Sequence, residues 1–227
     1  MTEQLANLIA ASLAFVGTHF ALSHPFRAGL VKRLGQPGFM GLYSVVALVT
    51  FGWMVLAFRA LPMVEVPLWD GTRDVAWVLS SVVMLMAAVL FAGSFQGNPA
   101  LPDPRAKELA RKDPHGVFKV TRHPMMWSFA LWSVSHVLVS PTPRVLVLSG
   151  AMAFLALVGA RLQDSKKLAA MGANWESWER RTSFLPRLTV LPAVGLVPWL
   201  GGFALWLGAT WLHVMLVGIP AGIWRWL

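Results

Sequence analysis

Residues Thr121–Val139 read TRHPMMWSFALWSVSHVLV. An Arg-His-Pro triplet opens the stretch, and everything after Pro124 is apolar or small except one imidazole, His136. Proline suits the first turn of a helix, where its missing N–H has no intrahelical acceptor to lose. The run that follows is continuous rather than alternating, so it reads as an apolar helix, about Met125–Val139. A histidine inside such a helix is costly in hydrocarbon and marks a functional position by default.

The rest of the chain shares this character. Of 227 residues, 56% are hydrophobic and only 13% charged, with a mean hydropathy of +0.61. Soluble domains are about 25% charged. Several apolar runs approach the roughly 20 residues needed to cross a bilayer as a helix. Outer-membrane barrels alternate apolar and polar residues, which these runs do not. The expected fold is therefore all-α: a polytopic membrane helical bundle forming a single domain over residues 1–227. The chain has no cysteine, which excludes disulfides, thiolate metal sites, iron–sulfur clusters and cysteine nucleophiles. A net charge of +9 is spread over particular loops and not gathered in one patch, which argues for membrane topology and against nucleic acid.

Working outward, about six spans are expected: about Leu5–Leu22, Phe39–Leu61, Val75–Phe95, Met125–Val139, Val145–Leu162, and one long span within Leu188–Trp224. The N-terminus lacks a basic leader and reads as the first span itself. Lysine and arginine concentrate in the connections after spans one, three and five. By the positive-inside rule these face the cytoplasm, which places the N-terminus outside. The expected location is an integral membrane position, in the bacterial inner membrane, with the lipid bilayer as the main partner. Trp69, Trp175, Trp178 and Trp224 fall near predicted span ends, where indoles anchor at the headgroups. Met84, Met86, Met125 and Met126 read as apolar packing first and soft ligands second.

Six histidines carry the functional question. His24 and His115 lie in connections within reach of water. His213, in the last span, is either a buried hydrogen-bonded side chain or a ligand. His19 lies in FVGTHFALS with Gly17 two residues before it, and glycine lets a flat group approach a helix closely. His136 lies in ALWSVSHVLV, one turn after Ser133. Each is read either as an interhelical hydrogen bond or as a ligand. Catalytic zinc needs three protein ligands, and a third is hard to place. A haem needs one or two axial ligands and fits between apolar helices. Arg122 and His123, at a helix N-terminus, form an expected anion site for a propionate, phosphate or headgroup. Helical rise puts His136 about 20 Å from His123, and His19 lies nearer the depth of His123 than that of His136. His123 and His136 therefore both stay open as the partner of His19.

Taken together, the GTHF of the first span, RAGLVKRLGQPGFMGLYSVVAL, QGNP, TRHPMMW, LWSVSHVL and NWESWERRTSFLP resemble the NnrU membrane protein family, related to the plant 15-cis-zeta-carotene isomerase. The resemblance covers nearly the whole chain. It implies haem b as cofactor, with iron held by axial ligands that match His19 and His136 here. Arg122 and His123 would contact a propionate. In the isomerase a cysteine one turn before the second ligand can replace it; Ser133 stands at that position here, so this switch is not available. The implied functions are a redox-controlled isomerase of a polyene or other lipid, acting on a hydrophobic small molecule, or a factor in nitric oxide and denitrification metabolism. The redox partner is unknown.

A second resemblance runs from RHPMMW through DSKKLAAMGANWESWERRTSFLPR to the isoprenylcysteine and phospholipid methyltransferases. It implies S-adenosylmethionine binding that depends on His123, Asp164 and Arg180. The acidic pair of those enzymes reads Gln163-Asp164 here. A third alternative is a non-enzymatic haem sensor or electron carrier.

Overall fold

A computed structural model describes residues 2–62 and 66–227; residues 63–65 of the connection after the second span lie outside it. Six long helices dominate. They are α1 Glu3–Ser23, α2 Arg27–Arg59, α3 Asp74–Gly93, α5 Pro124–Val139, α6 Pro143–Met171 and α8 Leu196–Val217. Two short ones, α4 Ala106–Arg111 and α7 Ala173–Arg181, belong to the basic connections. Five of the helices are long and apolar enough to cross a membrane, and α5 is a shorter apolar helix. At 1.5 Å per residue its 16 residues span about 24 Å, short of the roughly 30 Å hydrocarbon core. The protein is a polytopic helical membrane protein.

The helices form an arc. α2 packs on α1, α1 on α6, α6 on α5, α5 on α3, and α3 on α8. Large apolar side chains such as Leu48, Leu56 and Leu216 point outward and are about 70% exposed, the surface a bilayer covers. Small and hydroxylated residues point inward. Ser80 and Ser135 join α3 to α5 through hydroxyls 2.7 Å apart, the small-residue packing that replaces hydrophobic burial in lipid. Gly202 brings α8 against α3: a Cβ there would sit 2.5 Å from the Cα of Val89. Backbone cannot yield as a side chain does, so Gly202→Ala should cost about 1–3 kcal/mol by overpacking. Gly208, on the same helix, faces open space. Thermal unfolding in detergent should show a lower midpoint for Gly202→Ala and an unchanged one for Gly208→Ala; equal midpoints would remove the close-approach argument.

Three elements differ from the sequence reading. The connection after the first span is short, because RAGLVKRL is helical and continues into the second span across a kink. Gly35 sits at φ 70° and ψ 169° there, with Pro37 two residues on; a positive φ is cheap for glycine. The fifth span runs on to Met171, so Gln163–Ala170 is a helical stalk and not a loop. The basic connections are also not loose. Phe118, Trp175, Trp178, Leu191 and Val194 pack with Val89 and Leu90 at the end of α3 to make a folded cap. Trp175 and Trp178 are 0% and 1% exposed, so they are core residues of that cap and do not anchor at headgroups. Their helix α7 is capped by chain and not by lipid, which a reading of span boundaries alone does not show. The final apolar segment is one span, as expected, followed by a single turn at Gly222–Arg225.

Candidate functional site

Two cavities and one buried ionic cluster hold the histidines that the sequence singles out. The cluster forms where α5 begins. The backbone N–H of Arg122 donates to the Ser183 carbonyl (2.8 Å), and that of Arg187 to Val120 (2.9 Å). This pairing carries SFLPR onto VTRHP. The Phe184 carbonyl accepts from the Thr121 hydroxyl and the Trp127 indole N–H, both at 2.8 Å. Asp164 then enters from α6. Its carboxylate accepts from Arg122 Nε and Nη2 at 2.7–3.1 Å and from His123 Nε2 at 2.7 Å. The Arg122 side chain is 10% exposed, Asp164 9% and His123 0%. Glu179 adds a longer contact of 3.5 Å to Arg122. Charge-assisted, forked pairing of this kind is strong and directional.

Arg122 and His123 are thus brought together, but the anion they hold is the chain's own Asp164. The anion site expected from their position is filled from within, and neither residue lines a cavity described below. The signal for this partner was a lone acid, Asp164, among Arg161, Lys166 and Lys167; a buried carboxylate needs a cation. His123 Nδ1 is buried without a hydrogen-bond partner among the described residues.

The first cavity, about 380 Å³, lies between α1 and α5 over α6, with Tyr43 of α2 closing one side. His19 lines it. Its Nδ1–H donates to the Phe15 carbonyl at 2.7 Å. A carbonyl only accepts, so the proton sits on Nδ1 and the Nε2 lone pair is left for a ligand. Phe15 and Tyr43 hold the ring at centroid distances of 4.3 and 5.5 Å. Phe20, Met126, Phe129, Met152 and Leu155 make apolar walls, and Ser23, His24, Gln163 and Lys166 make a polar mouth toward the basic end. Burial, and next to it the Lys166 ammonium, push the His24 imidazole below its usual range. Gln163 donates to the Ala100 carbonyl at 3.0 Å, so the QGNP connection fixes one edge of the mouth. Gly17, expected to give a flat group room beside His19, is exposed and faces open space outside this cavity. Gly159 of α6 is the glycine that lines it.

His136 opens onto a second, smaller cavity of about 130 Å³, between α5 and α8 over α3. Its Nδ1–H donates to the Trp132 carbonyl at 2.8 Å. His213 of α8 lines the same cavity, with the two ring centroids 6.4 Å apart. The structure therefore brings His136 to His213 and not to His19. The reason is the arc: α1 and α5 are both neighbours of α6, and His136 lies two turns beyond Phe129, about 10 Å further along α5. Ser133, the position of the ligand-switch cysteine in the isomerase, donates back to Phe129 at 3.0 Å and lines neither cavity. Among the described residues no three His, Asp or Glu side chains gather as a metal centre.

Comparison with known proteins adds one match. No curated protein and no solved structure matches the chain. A family model described as NnrU protein matches residues 7–221, which takes in all but the first turn of α1, the other five long helices, the cap, the ionic cluster and the histidines of both cavities. The chain belongs to the NnrU protein family.

Proposed function

We propose that the protein binds haem b in the first cavity, with His19 Nε2 as an axial ligand. The observation that carries this reading is His19 itself: an imidazole with its tautomer set by the Phe15 carbonyl, opening into an apolar cavity with a polar, cationic mouth. These residues fit the group. Apolar walls suit the macrocycle, and Lys166 with Gln163 suits its propionates. When bound, haem b would supply one-electron chemistry at its iron. The chain's own part is to hold the imidazole by Phe15 and Tyr43, to exclude water with Phe129, Met152 and Leu155, and to counter anionic charge at the mouth.

His136 would be the second axial ligand in a bis-histidine arrangement, but it opens onto the other cavity. This reading therefore assigns one histidine to the iron. A macrocycle would fill most of a cavity of about 380 Å³, near the lower end of small-molecule sites at about 300–1,000 Å³. That favours a sensor, an electron carrier or a gas-binding factor of nitric oxide metabolism over isomerisation of a long polyene. The methyltransferase reading draws less support, because Asp164 and Arg122 are consumed by each other.

Absorption spectra of protein purified from haem-replete cells test this. The wild type should show a Soret band and, once reduced, bind carbon monoxide. His19→Ala should lose most of the band, and His136→Ala should keep it. A wild type without a Soret band ends the proposal. Loss of the band in both variants would restore the His19–His136 pairing.

A further inference from the structure

The second cavity holds two histidines that the haem proposal does not use. His136 comes from α5 and His213 from α8, two helices that both pack on α3. Each ring is fixed in the same way. His136 Nδ1–H donates to Trp132, and His213 Nδ1–H donates to the carbonyl of Ile219, both at 2.8 Å. Both Nε2 atoms are therefore unprotonated acceptors, and neither has a hydrogen-bond partner among the described residues. Fixing Nδ1 on a carbonyl is the usual outer support of a metal-bound histidine. The ring centroids are 6.4 Å apart. Two imidazoles on opposite sides of one ion should show about 6.2 Å, from two bonds of about 2.0 Å and two ring radii of about 1.1 Å.

The rest of the lining decides which ion. Met84 supplies a thioether, and no carboxylate among the described residues lines the cavity. The nearby hydroxyls of Ser80 and Ser135 are bonded to each other. A divalent ion with only neutral ligands between apolar helices would keep its full charge out of water, at high cost. Zinc also asks for three or four protein ligands. A monovalent soft ion needs fewer ligands and less charge compensation, and thioether with imidazole is a copper(I) donor set. The geometry points to a copper(I) site formed by His136 Nε2 and His213 Nε2, with Met84 as the accessory donor, at the end of the bundle remote from the basic cap. It is separate from the His19 cavity and does not depend on haem.

The test is an anaerobic titration of the detergent-purified full chain with copper(I) against a chromophoric copper(I) chelator. The wild type should hold one copper per chain. His136→Ala and His213→Ala should each weaken binding about 100-fold or more, beyond what losing an outer support costs, and Met84→Leu should weaken it less. X-ray absorption at the copper edge should show nitrogen neighbours at about 2.0 Å, the metal–imidazole bond length. Any variant that fails to fold leaves the wild-type stoichiometry and absorption spectrum to decide. A wild type that releases all copper to the chelator overturns the proposal. So does unchanged copper affinity in both histidine variants, or tighter retention of zinc than of copper(I). A Soret band that disappears in His213→Ala overturns it as well, by assigning the pair to haem.

Discussion

Asp164→Ala should lower the apparent melting temperature in detergent by about 6–20 °C. The physical reason is what the substitution leaves behind. Arg122 stays in place, 10% exposed, with its Nε no longer facing a carboxylate and its Nη2 left with only the longer contact to Glu179. Breaking a buried ion pair from one side costs about 3–5 kcal/mol, because the remaining charge is uncompensated. For a chain of 150–250 residues each kcal/mol is worth about 2–4 °C. His123 loses its side-chain hydrogen bond at the same time, and its Nδ1 already has no such partner among the described residues. Glu179, at 3.5 Å from Arg122 and less buried, offsets only part of the loss. The double variant Arg122→Met/Asp164→Leu should recover much of the stability, since apolar replacement of a whole buried pair is often neutral. A single variant that melts within a degree or two of the wild type would show that the cluster is hydrated and weak.

The same cluster shows how far the sequence could be read. The spans were legible because charge marks their ends and apolar runs mark their middles. Both signals are local. Arg122 and His123 were legible as a helix start for the same reason. Asp164 as their partner was not, because it lies some forty residues on and reaches them only when the stalk of α6 stands beside α5. The histidines divide in the same way. Helical rise already put His19 and His136 at different depths, and the two cavities agree with that. What no spacing reveals is the lateral order of the helices. The arc sets α6 between α1 and α5 and leaves α8 on the far side of α3, which is why His213 meets His136 while His19 does not. The cap was hidden for another reason. Its connections are rich in lysine, arginine and proline, and composition alone reads them as solvated loop.

The cap provides the second large effect. Trp178→Ala should destabilise the protein by about 3–5 kcal/mol, the range for removing a buried large aromatic. Trp178 is 1% exposed. Its ring meets the edge of Phe118 at 5.8 Å, and the Arg181 guanidinium lies 5.9 Å from it. That guanidinium in turn donates to the carbonyls of Ala110 and Lys112 at 2.6 and 2.8 Å, so α7 is tied to the end of α4 through the same residues. Removing the indole opens a void at the joint and loosens both short helices, neither of which is stable alone at 6 and 9 residues, since isolated helices under about 12 residues are marginal in water. Trp178→Phe should be much milder. The indole N–H has no hydrogen-bond partner among the described residues, so the smaller ring loses area but sheds an unpaired buried donor. The contrast separates core from anchor. An indole that only sat at the headgroups would leave the melting temperature in detergent nearly unchanged in both variants and would alter partitioning into bilayers instead. A steep loss for alanine with a shallow one for phenylalanine, read by thermal unfolding, is the outcome expected of a core residue. The ionic cluster should feel it too, because Thr182 donates to the Trp178 carbonyl at 2.6 Å just before Ser183 and Phe184 reach Arg122 and Thr121.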